Sequence, residues 1–160
     1  MTQHSSAPGF QGPQRTQVLV GVWLTEDQWN VVVCHYPKTK WALRATDGDG
    51  RTVVVGQPED ARDSLIIQGD VVLDEQTKSL VRQTNDAELD SLLWNLRREL
   101  IQSDVEFRIS GEPLALIQVS QRIFFGHGNE LSKDIFFQRV SRVRRGILLV
   151  RWLLERCFSR

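Results

Sequence analysis

The sequence predicts an α+β fold: a twisted antiparallel sheet with helices packed on it. Three observations carry this. Residues 30–73 hold four short runs rich in Val, Ile and Trp, separated by turn residues. Residues 105–125 hold two more such runs. Around the second group stand two stretches, 86–102 and 132–158, whose apolar residues recur every three or four positions. With 160 residues, 41% of them hydrophobic, the chain suits one domain with a core of useful size.

Residues 1–14, MTQHSSAPGFQGPQ, mix Ser, Gln, Gly and Pro around a lone aromatic, Phe10. They offer too little apolar surface to offset their ordering entropy, so a flexible tail is expected, followed by a single domain over 15–160. In 15–29, Val18, Leu19, Val22 and Trp23 fall at helical spacing, yet the β-branched run with Gly21 equally suits a strand. Pattern alone leaves both open.

The next runs are clearer. NVVVCHY, KWALRAT, RTVVVGQ and SLIIQGDVVL read as a meander of antiparallel strands. In the second run Trp41, Leu43 and Ala45 share one face, while Arg44 and Thr46 take the other. Asp47-Gly48-Asp49-Gly50 supplies the positive φ angles of a tight hairpin. Residues 74–83 turn polar, with Leu80 and Val81 spaced for a short helical turn.

Asn85 and Glu88 then form a capping-box pair ahead of Leu89, Leu92, Leu93, Leu96 and Leu100, which predicts an amphipathic helix over 86–102. VEFRIS alternates, with Val105, Phe107 and Ile109 on one face. ALIQVSQRIFF follows the Gly111-Glu112-Pro113 turn, and Gly126-His127-Gly128-Asn129 ends the sheet. In the last element Ser132 can cap, and Phe136, Val140, Val143, Ile147, Val150 and Leu154 form the stripe of a long helix. Over 132–158 it would be on the order of 40 Å long.

LDSLLWNLRRELIQSDVEFRI, ALIQVSQRIFFG and LSKDIFFQRVSRVRRGILLVRWLLER, with the opening VWLTEDQWNV and Gln57-Pro58, together resemble a family of uncharacterised prokaryotic proteins. That family is a domain of unknown function common in archaea, and the resemblance spans about residues 17–156. The layout is also similar to YbjN-like proteins and the type III secretion chaperones, whose fold is a twisted antiparallel sheet with helices on it. The resemblance implies that 15–29 is the first helix. Relatives of that fold class hold other proteins, often as dimers, which is an argument by analogy. Secretion chaperones tend to be acidic; this chain has a net charge of zero.

Chemistry is sparse. Cys34 and His35 are neighbours, but adjacent strand residues point to opposite faces, so Cys34 reads as a small core residue and His35 as a surface one. Three His and two Cys are scattered with no CxxC or HxxxH spacing, and no nucleotide-binding or hydrolase signature occurs. Neither a metal nor a cofactor is expected, and the chain reads as non-enzymatic. Two cysteines make no disulfide framework, no signal peptide is legible, and no apolar run reaches the ~18 residues of a membrane span, so a cytoplasmic location is expected.

Charge is unevenly spread. Residues 47–104 carry 13 acidic and 6 basic residues, a net −7, while 131–160 carry 8 basic and 2 acidic, a net +6. The two halves either face each other or leave a basic helix for nucleic acid, with Arg142, Arg144, Arg145 and Arg151 as candidate contacts. The leading expectation is a protein-interaction module, chaperone-like or regulatory, binding a protein partner or itself; nucleic acid is the alternative, and an enzyme of unrecognised type comes third. GILLVRWLL is apolar almost all round, which points to an interface at Leu148, Leu149, Trp152 and Leu153.

Overall fold

A computed structural model describes residues 12–159. The expected flexibility of the tail, Phe10 included, concerns residues outside that range, save for its last three. The first helix, α1, runs Gly12–Glu26, so the expected boundary at Arg15 falls inside it. A proline is tolerated there because the first helical turn has N–H groups without intrahelical acceptors.

Strands β1 (Asn30–Cys34), β2 (Thr39–Thr46), β3 (Thr52–Pro58) and β4 (Ser64–Val72) follow as the meander. Helix α2 (Glu75–Gln83) is two turns and more, longer than the single turn expected. Helix α3 (Asp86–Gln102), β5 (Glu106–Ser110), β6 (Leu116–Phe124) and α4 (Lys133–Phe158) complete the chain. The six strands form one antiparallel sheet in the order β1-β2-β3-β4-β6-β5.

The caps agree with the chemistry of the helix starts. Asn85 accepts from the Glu88 N–H at 2.9 Å, Ser132 from that of Ile135 at 3.2 Å, and Asp74 from that of Thr77 at 2.7 Å. The hairpin at 47–50 closes as expected, with the Asp47 N–H donating to Arg51 at 2.9 Å and Gly50 at φ +78°.

Register places the large core residues of the sheet on one face, with the small Ala42 buried on the other. Leu43 pairs with Val55, Val55 with Ile67, and Ile67 with Gln121, so all four point the same way. Two clusters form beneath the helices. Val20 and Leu24 of α1 and Phe136, Val140 and Val143 of α4 pack on β2, β3 and β4. Leu92, Leu96 and Leu100 of α3, with Val150 and Leu154 of α4, pack on Ile117 and Val119 of β6. Helix α4 bridges both. Its close approach depends on glycine: a Cβ at Gly146 would stand 2.7 Å from a Val119 methyl.

Two expectations about burial are corrected. In α1, Val18, Leu19 and Val22 are exposed and Trp23 is half-buried, while Val20 and Leu24 are the buried positions. Cys34 is half-buried on the helix-free face of the sheet, opposite Ala42, and is not a core residue. No described helix is long and apolar enough to cross a membrane.

Candidate functional site

Helix α4 turns Phe136, Val140, Val143, Val150 and Leu154 inward, which by helical geometry points Arg145, Trp152 and Arg156 outward. Trp152 is 59% exposed, with Leu148 and Leu149 half-buried beside it. Leu153, also half-buried, packs against the second core cluster. On neighbouring α3, Leu92, Leu96 and Leu100 face the core, so Trp94 and Ile101, seven residues apart, share the outer side; they are 67% and 68% exposed. Sequence reading missed these two. Their signal was present: both lie almost opposite the leucine stripe.

The outer layer of α3 and α4 is thus apolar at its tryptophans and charged around them. Asp86 and Asp90 lie on α3, Arg145 and Arg156 on α4, all exposed. None of these four makes an ion pair among the described residues.

The candidate nucleic-acid arginines divide into two kinds. Arg144 Nη2 lies 2.7 Å from Asp47 Oδ2, and its guanidinium sits 5.3 Å from the centroid of the Trp29 ring. Asp47 Oδ1 meanwhile accepts the backbone N–H groups of Asp49 and Arg51, both at 2.9 Å. One carboxylate therefore ties the β2–β3 turn to α4. Arg142 Nη1 lies 3.0 Å from Asp104 Oδ2, ahead of β5. Nearby Arg139 donates to Gln121 Oε1 at 2.8 Å, and Gln121 donates to the Asp104 carbonyl. Both carboxylates come from the acidic segment and both arginines from the basic one, so the opposite charges meet at these points. Arg145 and Arg151 are exposed and without ion pairs among the described residues.

A second feature lies on the sheet face that carries no helix. The β1–β2 loop folds over that face and, with β3, β4 and β6, lines an open cavity of about 490 Å³. Gly56, Ile66 and Arg122 stand in one cross-strand row of its floor, with Val54 and Gln68 in a row beside it. The loop is held in place: Thr39 Oγ1 donates to the Tyr36 carbonyl at 2.6 Å, and the Glu59 N–H donates to the Lys38 carbonyl at 3.0 Å. Gln68 Nε2 donates to the Tyr36 hydroxyl and, at 3.0 Å, to Asp70 Oδ1. Burial, and then the Asp70 carboxylate, push the Tyr36 hydroxyl above its usual range, against the pull of the Gln68 and Gln118 hydrogen bonds. The phenol is neutral at physiological pH. Nothing in the sequence pattern marked this cavity, because it needs a loop to fold across two strands.

Of the other singled-out residues, His35 and His127 are exposed, and Cys157 is exposed at the end of α4. No three His, Cys, Asp or Glu side chains converge as metal ligands among the described residues.

Comparison with known proteins gives the following. A solved structure of an uncharacterised protein from Methanothermobacter thermautotrophicus superposes with a TM-score of 0.81 at 21% identity, covering 89% of this chain and 99% of that one, which shows a shared fold. YbjN from E. coli, a candidate transcription regulator, gives a TM-score of 0.47 at 14% identity, covering 87% of this chain and 89% of its own. No curated protein is detectably similar in sequence. The model of the uncharacterised conserved proteins called DUF2299 matches residues 17–154, nearly the whole described domain, and the chain belongs to that family.

Proposed function

We propose that this protein is a non-enzymatic protein-interaction module, of a chaperone-like or regulatory kind, that works as a dimer through the outer layer of α3 and α4. The observation that carries the reading is the pair of tryptophans, Trp94 and Trp152, left mostly in solvent on adjacent helices. Burying either would gain far more than leaving it wet, and aromatic side chains dominate the energetic centres of interfaces. The occupant that fits best is a second copy. A two-fold axis sets the same surface against itself, so the acidic Asp86 and Asp90 of one copy can lie over Arg145 and Arg156 of the other.

Sedimentation equilibrium at micromolar concentration tests this on wild type and on Trp152→Glu. A wild-type dimer that becomes a folded monomer in the variant supports the reading. A monomeric wild type overturns it, as does a Trp152→Glu protein that associates as before.

A second reading has one observation in its favour: Arg145 and Arg151 are exposed on α4 with no ion pair among the described residues. On that reading the helix binds nucleic acid, and affinity for a mixed-sequence duplex falls steeply with salt. Dimer formation through apolar side chains responds far less to salt, so one titration separates the two.

A further inference from the structure

We propose that the cavity between the β1–β2 loop and strands β3, β4 and β6 is a binding site for a small apolar monocarboxylate. Arg122 would hold the carboxylate, and the apolar body would lie on Val54 and Ile66 beneath Tyr36.

The volume, about 490 Å³, falls among those of small-molecule sites, and Val54, Gly56 and Ile66 give the floor an apolar strip beside the polar Gln68 and Arg122. The walls are built before any ligand arrives. The 36–39 turn is closed on itself and hydrogen-bonded to the β3–β4 loop, while Gln68 anchors the far end of Tyr36. Gly56 leaves the floor bare of a side chain where Thr39 and the Trp41 carbonyl come close: a Cβ there would stand 3.1 Å from each.

Arg122 supplies the chemical preference. It is half-buried, and its guanidinium lies 5.9 Å from the Phe124 ring centroid. Among the described residues it has no carboxylate within ion-pair distance, although Glu59 and Asp60 line the same cavity. A guanidinium in that position can give two parallel hydrogen bonds to a carboxylate. The remaining charges set the limit on the ligand. Lys38, Glu59 and Asp60 are exposed at the rim, and Asp70 stands beyond Gln68. Arg122 and Lys38 offset only two of these three carboxylates, so a single negative charge depends on direct hydrogen bonding to the Arg122 guanidinium, and a dianion such as a phosphate monoester is repelled.

The chain has a single tyrosine, so Tyr36 reports on the cavity without ambiguity. With ring-labelled tyrosine, its NMR resonance is followed while phenylbutyrate, phenylbutanol or phenylbutylamine is added to the full chain. The expected result is a saturable shift with phenylbutyrate and a weaker one with the alcohol. Arg122→Gln, checked for an unchanged melting temperature, is expected to weaken phenylbutyrate about tenfold, and Lys38→Gln to weaken it less than about threefold. If Arg122→Gln does not fold, Ile66→Lys serves instead: its own ammonium fills the floor and should abolish binding of all three probes. The proposal is overturned by the absence of any saturable shift, by phenylbutylamine binding as tightly as phenylbutyrate, or by an affinity that neither floor variant alters.

Discussion

The two faces of the sheet are drawn from alternate residues of the same strands, and they differ in what covers them. On β4, Leu65 and Ile67 are completely buried under α1 and α4, while the alternating Ile66 and Gln68 are half-buried on the face that carries no helix. On β6, Ile117 and Val119 are buried, whereas Phe124 on the other face is 72% exposed. An antiparallel sheet that turns one face to water normally makes that face polar. Here it keeps Val32, Val54, Ile66, Val72, Leu116 and Phe124. The covered face holds both core clusters, so substitutions on the other face are expected to leave the fold intact.

The largest effect expected from this contrast is at the helix layer. Leu96→Asp should prevent folding, because an unpaired buried carboxylate costs several kcal/mol against a total stability of about 5–15 kcal/mol. Leu96 is fully buried and Leu93 half-buried, so Leu93→Asp should destabilise clearly less. Thermal unfolding of both reads the difference, and an unchanged melting temperature for Leu96→Asp would contradict the covered face itself.

A pair of alanine substitutions compares the faces directly. Ile67→Ala, in the core, should cost about 2–5 kcal/mol in urea unfolding. Phe124→Ala, on the open face, should stay within about 0.5 kcal/mol of wild type. Equal losses would show that the open face is as tightly packed as the covered one.

The smallest effect is local and sets a scale for the rest. The Thr77 backbone N–H bonded to Asp74 holds that carboxyl below its usual range. A carboxyl whose pKa is lowered by folding contributes stability above its unfolded pKa, about 3.9, and loses it as pH falls through the folded value. The Thr77 amide resonance should therefore be steady down to about pH 4 and move below it, as the cap of α2 opens. Asp74→Ala should remove this titration while leaving the global melting temperature almost unchanged.

Much of the fold was legible because local patterns repeat. Helix α3 spans the predicted residues, and α4 begins after Ser132 and ends at Phe158, since long stripes with caps carry their own boundaries. The strand runs were legible from alternation and from the Asp-Gly turn. Helix α1 was not: among its residues from Arg15 onward only Val20 and Leu24 are fully buried, and its exposed valines blur both periods. Of the candidate site, excess apolar area marked α4, while the exposed Trp94 and Ile101 of α3 were missed, because a pattern shows which side of a helix is apolar and not what packs against it.

What the sequence determined by itself was whatever depends on residues within a few positions of one another: caps, turn, stripe, alternation and the charge of each segment. Tertiary structure alone decided the rest. It placed β6 between β4 and β5, brought Asp47 to Arg144 and Asp104 to Arg142, and let α4 approach the sheet over Gly146. It also folded Tyr36 across the open face to reach Gln68, 32 residues away in the chain. The physical reason is the range of the forces. Backbone geometry and capping act between near neighbours, while packing and ion pairing join any residues that the folded chain brings within a few ångströms.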